Sequence, residues 1–323
     1  MKHALAKVDA AAHTLGNSLQ QAERQILRQS SEARRMVFEA IDACLAELRT
    51  TGLLGREIQM PSNRLWEISG KWLRQGALQA RARDKPLGYA GDYVMLTQIF
   101  DRAVTTDPLG ALFDEYFQSL DAPEAVRQRL AFASEELRRH ERHTRSSSYC
   151  AVIVGSGAAI EAELAIRAGA APAEIRLLDL DQAALDAATA RLSAVTGRLT
   201  SVVPQRENLY RLPGRAARCL PGDSCDFLIC LGLFDYLNDE DAVQHLHAYW
   251  NALRRGGTML IGNFSIACES RTYMEWIGAW FLLFRSAADL ERLAAMAGIS
   301  PEQRQVVATE NGVNLLLRAT KPS

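Results

Sequence analysis

A chain of 323 residues with 37 basic and 38 acidic side chains carries a formal charge of −1, so no sequence-wide field draws it to nucleic acid or to an anionic membrane. That length suits two domains, or one domain with a large helical extension. The six cysteines (Cys44, Cys150, Cys219, Cys225, Cys230 and Cys268) lack zinc-type spacing, so no metal is expected, and a reduced, cytoplasmic setting without disulfides fits them best. Residues Met1 to Ala12 lack the apolar core of a signal peptide, and the longest apolar stretch, Trp276 to Phe284, is too short to span a bilayer. A soluble protein without a membrane or nucleic-acid partner is therefore expected; oligomeric state is not legible.

Residues 1 to about 145 read as helices almost throughout. Ser31 is placed to cap a helix whose stripe is Met36, Val37, Ile41, Cys44, Leu45 and Leu48, and Thr51-Gly52 stops it. A second helix is expected over Asn63 to Leu78, with Leu65, Trp66, Ile68, Trp72 and Leu73 as core. A third follows Asp92, and a fourth holds Leu112, Phe113, Tyr116 and Phe117. After Asp121-Ala122-Pro123 a charged helix runs to about His140, with its face read as solvated. His140 and His143 read as an exposed charged end rather than as a base.

One segment breaks the helical pattern: Arg83-Asp84-Lys85-Pro86-Leu87-Gly88-Tyr89-Ala90-Gly91-Asp92-Tyr93. Pro86, Gly88 and Gly91 make it a turn-rich loop, and loops that carry aromatics and charge together are over-represented at sites. It is either a functional loop or a connector capped by Asp92 at the next helix start.

From Cys150 the period changes. Ala151 to Val154 reads as a strand, then comes the turn Gly155-Ser156-Gly157, a helix over Ala158 to Arg167, and a second strand from Ile175 to Leu178 ending in Asp179. Glycines at 155 and 157 let the backbone turn sharply and approach a ligand. Asp181 or Gln182 opens the next helix, with capping as the main reading of Asp181. Strands are expected at Leu199 to Val203, Phe227 to Leu231 and Thr258 to Ile261, with a helix from Asp239 to Leu253. Helices over Tyr273 to Phe284 and Ala287 to Met296 follow, then a hairpin of Arg304 to Ala308 and Val313 to Arg318 around Asn311-Gly312. Alternating β/α units closed by a hairpin differ from dinucleotide-binding dehydrogenases, which end on a parallel strand.

With these pieces in place, residues 140 to 320 resemble the class I S-adenosylmethionine (SAM)-dependent methyltransferases. The matching pieces are Val-Ile-Val-Gly155-Ser156-Gly157, Leu-Leu-Asp179, Arg206-Glu207-Asn208-Leu209, Phe227 to Gly232 and Leu253-Arg-Arg-Gly256-Gly257. The resemblance implies an α/β fold, a Rossmann-like class I methyltransferase sheet with a terminal β-hairpin, preceded by a helical lid domain; the division is 1–140 and 141–323. It also implies SAM as cofactor or substrate, held by Gly155, Ser156, Gly157, Asp179, Leu180, Asn208, Leu209, Leu231 and Gly232. In such enzymes the glycine turn passes under the amino-acid and ribose portions of SAM. Asp179 would then accept from the ribose hydroxyls and Asn208 would read the adenine amino group, while Cys230, Leu231 and Gly232 would face the sulfonium. The third glycine of the usual pattern is Ala159, a departure expected to govern helix packing only.

Lys-Pro-Leu-Gly-Tyr-Ala-Gly-Asp-Tyr over 85–93 resembles a smaller branch with a helical front. That branch includes enzymes that methyl-esterify 3-hydroxy fatty acids; azetidine-2-carboxylate synthases, which cyclise SAM itself, look similar over the whole length. The resemblance implies a small-molecule substrate and, as the leading expectation, cyclisation of SAM to azetidine-2-carboxylate with release of methylthioadenosine; O-methylation of a small-molecule or fatty-acid carboxylate is the alternative. Either chemistry handles a sulfonium, which aromatic faces stabilise. Tyr89, Tyr93 and Tyr236 are the expected catalytic aromatics, with Phe234 and Phe264 as further candidates, and Asp92 is expected to orient the reacting amine. Ser134 and Asn263 compete for that last role, Arg83 and Lys85 could hold the ligand carboxylate, and Trp276, Trp280, Phe281 and Phe284 could line an acyl pocket.

Overall fold

The computed structural model describes residues 2–144, 146–197 and 200–323. The chain forms two compact units, one of residues 1–124 with 269–281, the other of residues 125–268 with 282–323.

The first unit is helical: α1 (Lys2–Leu27), α2 (Glu32–Arg49), α3 (Gln59–Leu73), α4 (Ala77–Asp84), α5 (Tyr93–Phe100) and α6 (Pro108–Gln118). The stripe read from the sequence is its core, with Val37, Ile41, Cys44, Leu45, Leu48, Leu65, Trp66 and Trp72 buried. Residues 269–281 are tied into the same unit. Trp66 Nε1 donates to the Ile277 carbonyl at 3.1 Å, Ser62 Oγ to that of Trp276 at 2.7 Å, and the Tyr273 hydroxyl to Gln79 Oε1. Two local expectations are corrected here. Ser31 makes no side-chain cap; Ser30 Oγ accepts from the Glu32 amide instead, because Ser31 already has helical backbone angles. The helix expected over 63–78 is α3 followed by a break, since Leu73 ends the first run and Gly76 precedes α4.

Helix α7 (Asp121–Thr144) leads into the sheet of the second unit. Its strands are β1 (Cys150–Val154), β2 (Glu174–Asp179), β3 (Ser201–Arg206), β4 (Cys225–Cys230), β5 (Leu253–Phe264), β6 (Arg304–Ala308) and β7 (Asn314–Thr320). Their order is β3-β2-β1-β4-β5-β7-β6, with β7 antiparallel to both neighbours and the rest parallel. This is the class I methyltransferase-like fold, terminal hairpin included. The expected start of β3 at Leu199 lies outside the described residues; the strand is described from Ser201.

Helices α8 (Ile160–Arg167), α9 (Gln182–Ser193), α10 (Ala216–Cys219) and α11 (Asp239–Ala252) connect the parallel strands, and α13 (Ala287–Met296) precedes the hairpin, after the short α12 (Arg271–Trp276). One face of the sheet packs Val152, Val154, Leu228, Cys230, Met259, Ile261, Leu315 and Leu317 with Leu246, Tyr249, Leu290 and Leu293 from α11 and α13. Alternation along the strands sends Phe264, Leu316 and Asn314 to the opposite face, where Arg318 of β7 pairs with Glu136 of α7 at 3.1 Å.

The helix expected over Tyr273 to Phe284 stops at Trp276, and Ala279 takes a left-handed φ of 46°. Helix α7 is less solvated than its charge suggests, for Arg129, Ser134 and Glu136 are buried along it. His140 is likewise no exposed end. Its Nδ1 lies 2.9 Å from the Tyr149 hydroxyl and its Nε2 3.1 Å from the Gly256 carbonyl, and burial lowers its pKa.

Candidate functional site

The carboxyl edge of the parallel strands in the second unit collects the polar groups that the glycine turn introduces. Gly155 and Gly157 have φ of 66° and 48°, left-handed values that a glycine takes without strain. Ala159 sits at the third position with φ 50° and ψ 43°, as N-cap of α8. It is buried at the start of the helix, as a packing role requires, and its backbone is in addition left-handed, a conformation costly for a residue with a Cβ.

Asp179 closes the turn. Its Oδ2 accepts from Gly157 N at 2.9 Å and its Oδ1 from Asp181 N at 3.0 Å, while burial raises its pKa. Asp181 caps α9 through Ala183 N at 2.9 Å, as read from the sequence, and its second oxygen is buried without a partner. Leu180 between them is 45% exposed, an apolar surface left open beside the acid.

After β3 the segment Glu207-Asn208-Leu209 is fixed by a carboxylate that sequence reasoning passed over. Glu207 accepts from Asn208 N at 3.0 Å, Arg215 Nη1 at 2.8 Å, Arg218 Nη2 at 2.9 Å and the Cys219 thiol at 3.0 Å, and these donors, the thiol foremost, hold its pKa down to about 2. Asn208 Oδ1 accepts from Tyr210 N at 3.1 Å, which turns the chain. A Cβ on Gly155 would stand 3.6 Å from Leu209 Cδ1, so the two loops are neighbours.

At the end of β4, Leu231 is buried, and the β5 backbone comes so close that a Cβ on Gly262 would lie 2.6 Å from the Leu231 carbonyl oxygen. Beyond Gly232 a short turn over Phe234–Tyr236 carries Asp235, fully buried, whose Oδ1 accepts from Phe264 N at 2.7 Å. Asp235 Oδ2 is 3.8 Å from Arg129 Nη1, and the Arg129 guanidinium lies 5.6 Å from the Phe264 ring centroid. Glu161, in the first turn of α8, is buried and interacts with the same arginine. Burial pushes both carboxyls up to about 7. Tyr236 ends the same short turn that carries Asp235.

Several buried polar atoms here have no hydrogen-bond partner: Ser156 Oγ, Arg129 Nε and Nη1, and both side-chain ends of Asn314. Native interiors rarely tolerate such groups, which favours a polar occupant. Asn263 is committed elsewhere, accepting from Arg285 at 2.7 Å and donating to the carbonyls of Phe264 and Leu283.

Gly155, Ser156, Gly157, Asp179, Leu180, Asn208, Leu209, Leu231, Gly232 and Tyr236 therefore all belong to this edge of the second unit. Tyr89, Asp92 and Tyr93 belong to the first. There Asp92 Oδ1 accepts from Met95 N and Arg81 Nε, both at 2.9 Å, with the side chain fully buried, so it caps α5. Trp276 and Trp280 are buried within the same unit. The site residues missed from sequence are Arg129, Glu161, Asp235 and Asn314. The signal for Arg129 was its place within the apolar stripe Ala125, Val126, Leu130, Ala133 and Leu137. Among the described residues no group of three or more His, Cys, Asp or Glu is arranged to hold a metal, and no helix is long and apolar enough to cross a membrane.

No protein-family model matches the sequence, and no curated protein matches it. Solved structures do. A Bordetella parapertussis protein described as a possible exported protein has a TM-score of 0.60 at 18% identity, over 97% of this chain and 97% of its own. The S-adenosylmethionine-dependent methyltransferase SibL in its apo form has a TM-score of 0.50 at 17% identity, over 99% of this chain and 96% of its own. Both cover the helical front as well as the sheet. At such identities they speak for architecture alone.

Proposed function

We propose that this chain is a SAM-dependent enzyme that transfers a methyl group to an oxygen of a small molecule. The observation that carries the reading is the Gly155–Gly157 turn clamped by Asp179 beside buried, unpartnered polar atoms of Ser156 and Arg129. The residues fit the ligand. Asp179 is the acid for the ribose, Asn208 and Leu209 with the open face of Leu180 border the adenine, and Leu231 and Gly232 run beside the amino-acid end. The full-length likeness to SibL, described as an S-adenosylmethionine-dependent methyltransferase, is one of architecture, and the reading is compatible with it.

When bound, SAM supplies an electrophilic carbon on a sulfonium. The chain's part is to hold that cation against aromatic faces, each worth roughly 0.5–2 kcal/mol, for which Tyr236 and Phe264 stand at the strand ends. A carboxylate acceptor needs no strong base, because it is already ionised; positioning does the work. Tyr89 and Tyr93 remain proposed contributors from the Lys85–Tyr93 loop. Asp92 fixes that loop through Oδ1, which accepts from Arg81 and the Met95 amide, and its Oδ2, buried without a partner, keeps it a proposed contributor.

A second reading is kept because the Lys85–Tyr93 segment resembles SAM-cyclising enzymes: intramolecular displacement giving azetidine-2-carboxylate and methylthioadenosine. Purified protein incubated with SAM, with and without candidate acceptors, and analysed by mass spectrometry decides. Methyl transfer predicts S-adenosylhomocysteine only when an acceptor is present. Methylthioadenosine with azetidine-2-carboxylate from SAM alone would establish the second reading, and undiminished SAM throughout would leave a binding protein.

A further inference from the structure

The short turn over Phe234–Tyr236, beyond the end of β4, has few bonds of its own. One turn of a 3-10 helix leaves most of its carbonyls without an internal partner, and Phe234 and Asp235 are buried, away from water. Such carbonyls need acceptor bonds from elsewhere. Here one distant segment supplies them. The Leu283 amide donates to the Asp235 carbonyl at 2.8 Å, Arg285 Nη1 to that of Phe234 at 2.7 Å, and Arg285 Nη2 to that of Leu237 at 2.6 Å. Tyr236 therefore stands between anchored residues on both sides.

Arg285 is 5% exposed and spends every N–H of its guanidinium. Beyond the two carbonyls, Nη1 donates to Asn263 Oδ1 at 2.7 Å, close to the end of β5. Asp239 Oδ1, at the start of α11, accepts from Nη2 at 3.0 Å and from Nε at 3.3 Å. One rigid fork thus ties the turn to β5 and α11, with a directionality that a lysine ammonium lacks. A buried ion pair adds little net stability over a well-packed apolar substitute. What the fork adds is a fixed place for the turn.

We infer that Arg285 is a positioning residue: it holds the turn after β4 so that the Tyr236 ring meets a cationic ligand, and it thereby sets the preference of the site for a sulfonium over an uncharged thioether. The proposed function assigns Tyr236 to the sulfonium, and the role of Arg285 rests on that assignment. An aromatic face attracts a cation more strongly than a neutral sulfur, so a displaced ring costs the charged ligand more than the neutral one.

Calorimetric titrations of the full chain with SAM and with S-adenosylhomocysteine read this preference as a ratio of affinities. Arg285→Gln should weaken SAM by about 10-fold, the scale of one desolvated cation–π contact, and leave S-adenosylhomocysteine within a factor of about 3. Arg285→Lys should lose less, and it carries the same comparison if the Gln variant does not fold. Tyr236→Leu should move the ratio as far as Arg285→Gln does, and combining the two should move it no further. Equal weakening of both ligands, no weakening of either, or a double variant whose losses add would overturn the inference and leave Arg285 a purely structural clamp. A wild-type chain that binds neither ligand, or a Tyr236→Leu variant with an unchanged ratio, would instead remove the reading beneath it.

Discussion

The Gly157 amide donates to Asp179 Oδ2 at 2.9 Å, so the acid that ends β2 is also the latch of the turn that follows β1. A neighbouring acid does a different job, since Asp181 accepts from Ala183 N as the cap of α9. Asp179→Ala should therefore weaken SAM binding at least about 30-fold, by removing a charged acceptor and loosening the turn. Asp181→Ala should instead lower stability by about 1 kcal/mol, the usual worth of an N-cap. Titration with SAM and chemical denaturation of both variants check this pair, and the reverse pattern would reassign the ribose contact.

Ala159 holds φ 50° where a glycine would be at ease. Alanine-to-glycine changes in helices ordinarily cost up to about 1 kcal/mol. Here relief of left-handed strain dominates, and Ala159→Gly should raise stability by about 0.5–1 kcal/mol. Denaturation midpoints read the sign directly.

Glu207 organises the Asn208 turn through four donors, and its carboxyl is held down to about 2. A depressed acid contributes stability above its unfolded value, about 4.3, and loses it as pH falls through about 2. Glu207→Gln should cost about 2 kcal/mol at pH 7 and less as the pH approaches 3, with a weakened affinity for SAM at neutral pH. Urea denaturation at the two pH values tests the narrowing gap.

Asp235 has the opposite sign. Burial raises its carboxyl to about 7, so between about pH 4 and that value the folded chain keeps a proton that the unfolded chain has released. Stability owed to this group is greatest below about pH 4 and declines as pH rises towards 7. Asp235→Asn keeps an oxygen for the Phe264 amide and should remove the slope. The stability of wild type relative to this variant, followed from pH 4.5 to 8, should fall with rising pH; a flat or rising difference contradicts the assignment.

The alternating apolar runs from Cys150 onward, broken by glycine and capped by Asp181, made the order of parallel units and hairpin legible, because each element carries its own local signal. The same holds for Asp92 as a helix cap. Not every boundary was legible: β5 runs from Leu253 to Phe264 where Thr258 to Ile261 was expected, and β3 ends at Arg206 rather than Val203. Arg129 was legible only in its position: helix α7 also carries Arg127, Arg138 and Arg139, and of these four Arg129 alone falls within the apolar stripe that packing buries. Nor could apolarity alone tell that residues 269–281 join the first unit, or that the helix ends at Trp276. The left-handed Ala159 was hidden for a similar reason: the turn sets its φ, whereas its identity favours a right-handed helix.

Hydrogen–deuterium exchange on the full chain with saturating SAM tests the central claim most directly, because it reads where the ligand sits without requiring turnover. Binding at the carboxyl edge of the second unit predicts slowed exchange in peptides covering 155–159, 179–181, 207–209 and 231–232, and loss of that protection in Asp179→Ala. Saturating SAM that leaves all four segments unprotected would contradict it.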